Sequence, residues 1–162
     1  MTGLQKGLLV AVVQLVIVLT VAGKYATDRR TLPRAWALVT PYDPNLPVRG
    51  RYVSLAVHAI PAGTFPANFN FGMVKLTADN GRLGATQSDG PSAVPARFDT
   101  ASSTIVLGEA IAFFIAEHVP DPSRRPPGEE LWAELSIPRK GPPRPVRLGM
   151  KKNGVLTPLA LE

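Results

Sequence analysis

The most constraining feature of this sequence is an apolar segment near its start, "GLLVAVVQLVIVLTVAG", which covers residues 7–23 without a charge. Seventeen helical residues span about 25 Å, slightly less than the ~30 Å hydrocarbon core of a bilayer. Leu4, Tyr25 and Ala26 extend the segment on either side. The sequence therefore predicts a transmembrane helix within residues 1–26, preceded by a short N-terminal tail.

A cleaved signal peptide is the alternative for this segment, because residues 21–23 ("VAG") are small enough to precede a cleavage site. The apolar run is longer than the usual ~7–15 residues of a signal-peptide core, which favours an uncleaved single-pass anchor. Gln14 is its one strongly polar residue. This amide is either simply tolerated or bonded to a partner helix, which would contribute about 1 kcal/mol in a membrane.

The charges that flank the segment bear on its orientation. Lys6 precedes it, whereas Lys24, Arg29, Arg30 and Arg34 follow it. The positive-inside rule taken alone would place the C-terminal part in the cytoplasm, although long domains are translocated despite flanking charge.

Beyond the segment, residues 27–35 read as a basic stalk and residues 36–162 as a β-rich domain. The stretch "RYVSLAVHAI" alternates, with Val53, Leu55 and Val57 on one face. The dipeptides at residues 80–81 and 153–154 are both Asn-Gly, which favours tight type I′ hairpin turns because both turn positions need a positive φ.

The stretch "ELWAELSI" supports a mainly β domain, because it alternates apolar and polar residues. Residues 108–119 ("GEAIAFFIAEHV") are ambiguous and fit either a helix or a buried strand. Eight of the 17 prolines lie between Pro120 and Pro145, which excludes a long helix there. We expect one membrane helix followed by a small antiparallel β domain, built as a sandwich or a barrel.

The composition excludes several classes of chemistry. The chain has no cysteine, so disulfides, thiolate metal sites and cysteine nucleophiles are ruled out. Its net charge of +6 is spread along the chain rather than clustered, which argues against a nucleic-acid partner. We predict no cofactor and no metal site, and the sequence leaves open whether the domain binds a small-molecule ligand.

Candidate catalytic residues are few. His58 and His118 lie sixty residues apart without ligand spacing and read as satisfied surface residues. Glu109 and Glu117 flank the apolar run and could act as paired carboxylates. The acidic residues at 129, 130 and 134 read as solvated.

A Ser-Lys dyad is the one catalytic arrangement that the chain suggests, with Ser54 as nucleophile and Lys75 as its base. Ser54 lies inside an alternating strand rather than on an exposed turn, so an outward-facing strand residue is the simpler interpretation.

The stretch "YDPNLPVRGRYVSL" at residues 42–55 resembles the signature of the uncharacterised GDYXXLXY family of membrane-anchored bacterial proteins. The residues that carry the match are Asp43 and Pro44, then Arg49, Gly50 and Tyr52 of the turn, and Leu55 of the strand. Downstream, "IAFFIAEH" is similar to the family's aromatic strand that ends near a glutamate, here Glu117, and "MKKNGVLTPLALE" is similar to its closing hairpin.

The sequence departs from that signature at two positions, because Arg51 replaces the motif aspartate and Val57 the final tyrosine. Chemistry that needs the aspartate is therefore lost, and the motif reads as structural or partner-binding. Gly50 permits a positive φ, and Arg49 can pair with Asp43 across the turn. Tyr52 offers a large contact surface with a polar tip.

The resemblance implies a single-pass protein whose domain lies outside the cytoplasm and associates with a polytopic membrane protein. We therefore expect a non-enzymatic, membrane-anchored accessory protein. The alternatives are the membrane-tethered Ser-Lys hydrolase and a domain that binds a small or anionic ligand, such as lipid headgroups near Arg29, Arg30 and Arg34.

Overall fold

The computed structural model describes residues 3–42, 52–66, 68–116 and 118–160, and for Arg29 only the backbone. The chain divides into two compact units, with the boundary between Leu32 and Pro33. The first unit is one helix and the second is a β domain.

Helix α1 comprises Gly3–Thr31, and its apolar side chains are exposed along its length. Residues Gly3–Asp28 are long and apolar enough to cross a membrane, a test that a signal sequence also passes. The 26 residues of that span correspond to about 39 Å of helix, which exceeds the ~30 Å hydrocarbon core. Gln14 lies in this span with an exposed side chain.

The boundary between helix and domain differs from the sequence prediction of a stalk over residues 27–35. Residues up to Thr31 continue α1, and the first strand already begins at Arg34. The hydroxyls of Thr27 and Thr31 donate to backbone oxygens four residues earlier, so the polar residues fit the helix. Pro33 has no N–H to donate and disfavours helical geometry at the residue before it, so the helix ends there.

The domain contains ten strands, described here in chain order. They are β1 (Arg34–Pro41), β2 (Tyr52–Pro61), β3 (Phe71–Asp79), β4 (Arg82–Gln87), β5 (Val94–Asp99), β6 (Thr104–Leu107), β7 (Ile111–Phe114), β8 (Glu129–Ser136), β9 (Arg144–Lys152) and β10 (Val155–Pro158).

Six of these strands form a closed barrel in the order β1-β4-β3-β5-β6-β2, which closes through antiparallel pairing of β1 with β2. The pairs β1–β4 and β2–β4 are short and parallel, so the domain is not purely antiparallel. The predicted fold class, a mainly β domain after one apolar helix, is confirmed, and the domain is a barrel with additional strands.

Strands β8, β9 and β10 extend the sheet from the other edge of β1, while β7 is added to β2. The inward side chains of the barrel and of β8 and β9 form one core, which includes Leu55, Val57, Leu135 and Leu148. As predicted, Val53, Leu55 and Val57 are buried together on one face of β2.

Both predicted hairpins are confirmed. Asn80 and Gly81 have φ values of 50° and 74° between β3 and β4, and Asn153 and Gly154 have 51° and 82° between β9 and β10. These are the positive φ values that a type I′ turn requires.

The ambiguous apolar run of residues 108–119 forms a short strand, β7, of four residues. Ile111 is buried and Phe113 packs on the core, whereas Phe114 faces solvent. The β-branched and aromatic side chains favour a pleated, half-buried surface over a helix.

Candidate functional site

The structure describes three of the motif positions. Leu55 and Val57 are completely buried in the barrel core, and Tyr52 lies half-buried on the outer face of β2. The remaining motif positions, Asp43, Pro44, Arg49, Gly50, Arg51 and Glu117, lie outside the described residues. The predicted pair of Arg49 with Asp43 and the pairing of Glu109 with Glu117 therefore stay predictions.

Tyr52 belongs to a group of aromatic side chains, Tyr42, Tyr52 and Phe114, which we call the aromatic edge. The rings of Tyr52 and Phe114 meet edge to face, with 6.0 Å between centroids. The backbone N–H of Tyr42 donates to the carbonyl of Ser54 at 2.9 Å, which places Tyr42 beside the same stretch of β2. Phe114 is 74% exposed and Tyr42 61% exposed, so this group presents aromatic surface to solvent.

Phe114 of the aromatic edge lies on β7, the strand at one end of the sheet. Among the described strands β7 pairs with β2 alone, so no described strand pairs with its other edge. Edge strands are commonly protected by a charged residue, a proline or a bulge. The residues of β7 are Ile-Ala-Phe-Phe and include neither a charge nor a proline, whereas β10 at the opposite end of the sheet contains Pro158.

His58 takes part in a chain of side-chain hydrogen bonds that ends at Asp99, and the Asp99 carboxylate determines which groups donate. The hydroxyl of Ser102 donates to Asp99 Oδ2 at 2.6 Å, so the hydroxyl of Thr104 must donate to Ser102, also at 2.6 Å. Thr104 then accepts from His58 Nδ1 at 3.0 Å. The remaining ring nitrogen, His58 Nε2, lies 3.0 Å from the hydroxyl of Thr40. The chain thus places a proton on Nδ1, and in the neutral ring Nε2 then accepts from Thr40.

The charges around His58 agree with a neutral ring. Burial lowers the pKa of His58 below its ordinary value of 6.5, and Arg97 lowers this pKa further, while Asp99 opposes both effects. Hydrogen bonds from Ser102 and from the backbone of Ala101 lower the pKa of Asp99.

The order hydroxyl, imidazole, carboxylate resembles a nucleophile with its base and orienting acid. Here two hydroxyls stand between His58 and Asp99, and the chain joins β1, β2 and β6 across the outer face of the barrel. We interpret it as a clamp between strands, which agrees with the prediction that His58 is a satisfied residue.

The strands that carry the candidate Ser-Lys dyad are not neighbours. Ser54 lies on β2 and Lys75 on β3, and these two strands do not pair. Glu109 borders a small open cleft of about 160 Å³, together with Pro95, Leu107 and Pro142. Within the described residues, no group of three or more potential metal ligands is found.

A second surface, on the outer side of β4, β1, β8 and β9, was not anticipated from the sequence. We call it the cationic face. It consists of Trp36 and Trp132 with the basic residues Arg34, Arg82, Arg144, Arg147 and Lys151.

The tryptophan rings of the cationic face are covered by cations. Arg82 lies 5.1 Å and Lys151 4.8 Å from the centre of the Trp132 ring, and Arg147 lies 5.4 Å from that of Trp36. Such contacts contribute about 0.5–1 kcal/mol each at exposed sites. Trp132 is only 7% exposed as a result of this cover.

Glu134 corrects one sequence prediction, because it was expected to be solvated and is instead buried. Its carboxylate binds Arg147 at 2.6 Å and lies 4.0 Å from Arg34. The neighbouring Glu130 accepts from the indole N–H of Trp132 at 2.9 Å. An alternating sequence places these carboxylates on the outer side of the strand, and the pairing of β8 with β1 and β9 supplies their basic partners.

Helix and domain together define a class of protein, a small β-barrel that follows one apolar helix with the properties of a membrane anchor or a signal sequence. Comparisons with protein-family models, curated proteins and solved structures found no match to this chain. The resemblance to the GDYXXLXY family accordingly stays a prediction.

Proposed function

We propose that this chain is a membrane-anchored docking protein without catalytic activity. In this proposal α1 holds the protein in the bilayer, and the aromatic edge binds an extended segment of a polytopic membrane partner. The observation that carries the proposal is the exposure of Phe114 on β7, a strand whose second edge is unpaired among the described strands.

Three features support docking by strand addition. An extended peptide binds an open sheet edge through backbone hydrogen bonds, while side-chain contacts provide specificity. Aromatic residues are enriched among the residues that contribute most to protein interfaces. Tyr52, which contacts Phe114, is also a residue of the motif that resembles a family of membrane-associated proteins.

The test is recovery of the partner from native membranes in mild detergent, with the tagged full-length chain as bait. Phe114→Thr removes the exposed ring, and Ala112→Lys places a charge on an exposed position of β7. Phe71→Thr is the matched control, because Phe71 is 71% exposed on β3 and lies outside the aromatic edge.

We expect the wild-type chain and the Phe71 variant to recover the same membrane protein in near-stoichiometric amount. The Phe114 and Ala112 variants should recover at least about ten-fold less, the loss typical of a central interface residue. Equal recovery by all four chains, or no specific companion for any of them, would refute the proposal.

We also propose that the domain lies outside the cytoplasm, as the family resemblance implies, although Lys24 and Arg30 follow the apolar segment. A reporter that is active only in the cytoplasm, fused to the C-terminus, should give no signal. Activity of that reporter would reverse the orientation without affecting the docking proposal.

A further inference from the structure

The cationic face carries most of the excess charge among the strands. Among the described residues, its five basic residues face three carboxylates, Glu130, Glu134 and Asp79, the last directly opposite Arg82 on β3, so the excess is two positive charges. The barrel strands outside this face carry Lys75 and Arg97 against Asp99, an excess of one. Most of the excess positive charge on the strands therefore lies on this face, where it attracts an anionic partner.

We propose that the cationic face binds the anionic headgroups of a lipid bilayer. This inference rests on the proposed anchoring of α1 in a membrane but not on docking at β7, because it concerns the outer side of β8 and β9.

The geometry favours phosphate groups over ligands that stack on aromatic rings. Cations already lie over both tryptophan rings, so the accessible chemistry of the face is its N–H donors. The side chain of Arg147 is 51% exposed although it is held at 2.6 Å by Glu134. A guanidinium that is fixed in this way is pre-organised to bind phosphate oxygens with its free N–H groups.

Arg82 adds a second accessible donor. Its guanidinium lies over Trp132, and it forms no ion pair with a described carboxylate, although Asp79 lies opposite it on β3. The Arg82 residue is exposed, so N–H groups that do not face the indole ring are accessible.

A bilayer, rather than a soluble anion, is the occupant that the chain itself favours. Only Leu32 and Pro33 separate α1 from β1, the strand that contributes Arg34 and Trp36 to the face. A membrane that holds α1 is thereby kept at a high effective concentration for a weakly binding surface on the same chain. Each basic residue near an anionic bilayer adds about 1 kcal/mol, which corresponds to about a five-fold change in binding.

The two tryptophans of the chain both belong to the cationic face, so tryptophan fluorescence reports on this surface alone. The experiment reconstitutes the full-length chain in lipid nanodiscs that contain a headgroup-labelled quencher lipid. One set contains only zwitterionic lipid and the other about 30% phosphatidylglycerol, a content that gives a negative surface potential.

We expect tryptophan quenching at least about two-fold stronger in the anionic discs at low salt, as several basic residues near the surface predict. This difference should disappear in about 1 M salt, where the Debye length is only about 3 Å. Equal quenching in both lipids, or a difference that salt does not reduce, would overturn the proposal.

A matched pair of double variants separates the face from net charge. Arg82→Gln with Arg144→Gln should lower the equilibrium constant for contact between the cationic face and the bilayer by roughly 25-fold, five-fold for each residue. Lys75→Gln with Arg97→Gln removes the same charge from β3 and β5 and should leave the lipid-dependent quenching unchanged. An equal loss in both pairs would refute a specific role of the face. If the Arg82→Gln, Arg144→Gln variant does not fold, the salt titration of the wild-type chain tests the proposal by itself.

Discussion

Replacement of Gly149 by alanine tests whether the packing of Trp36 depends on a missing side chain. Gly149 lies on β9 opposite Trp132, and the ring of Trp36 lies across it. A Cβ atom at residue 149 would lie 2.8 Å from Cζ3 and 3.0 Å from Cη2 of Trp36, and 3.3 Å from Cδ1 of Leu156. The first distance is shorter than real Cβ contacts allow, so the indole ring must move.

The expected magnitude follows from two opposing effects. Added volume in a well-packed position typically costs about 1–3 kcal/mol. Alanine in place of glycine within a strand stabilises by roughly 0.5–1 kcal/mol because the unfolded chain is less flexible. We therefore expect Gly149→Ala to lower the free energy of unfolding by about 1–2 kcal/mol, which for a domain of this size is roughly 4–7 °C in Tm.

The assay is thermal unfolding of the full-length chain in detergent, followed by tryptophan emission and near-ultraviolet circular dichroism. Gly90→Ala is the control, because the nearest atom to a Cβ there is the Ser88 hydroxyl at 3.4 Å, and its Tm should change little. In a Trp36→Leu background, Gly149→Ala should no longer destabilise. A Gly149→Ala chain as stable as wild type, with unchanged tryptophan spectra, would refute the reasoning.

Three further predictions concern the barrel. Leu55→Ala should lower the free energy of unfolding by about 2–5 kcal/mol, because Leu55 is fully buried, whereas Leu55→Met should cost less than about 1.5 kcal/mol; urea unfolding compares the two variants. Gly81→Ala should destabilise by roughly 1–2 kcal/mol, because Gly81 has φ 74°, and an equally stable variant in the same assay would contradict the turn assignment. Acidification should lower the stability of the domain. The pKa of His58 is lowered in the folded protein, so the unfolded chain binds more protons when the pH falls below about 6.5. The stability due to His58 is therefore complete above pH 6.5 and decreases below it. Unfolding of wild type and of His58→Gln across this range should show a shallower pH dependence in the variant.

The elements that local sequence determines were predictable. The two Asn-Gly dipeptides specify their turns because few residues tolerate two successive positive φ values. The alternation in β2 indicates which of its residues are buried, since successive side chains of a strand point to opposite faces.

Features that depend on distant pairing were not predictable in the same way. The sequence of β8 alternates, yet all six residues from Leu131 to Ser136 are buried, because the cationic side chains of β4 and β9 cover its outer face. The closure of the barrel rests on contacts among β1, β2 and β4, which no local pattern encodes. The same holds for the aromatic edge, since Tyr42 and Phe114 are far apart in sequence and come together only through β2.

The position of β1 has a mechanical consequence. This strand follows α1 after two residues and pairs with β2, β4 and β8. Tension that enters the domain through α1 is therefore shared at once by hydrogen bonds to three neighbours. At the other end of the sheet, β9 is the one described strand that pairs with β10, which can therefore detach one hydrogen bond at a time. A pulling experiment should accordingly find the domain far more resistant to force applied through its N-terminal end than through β10.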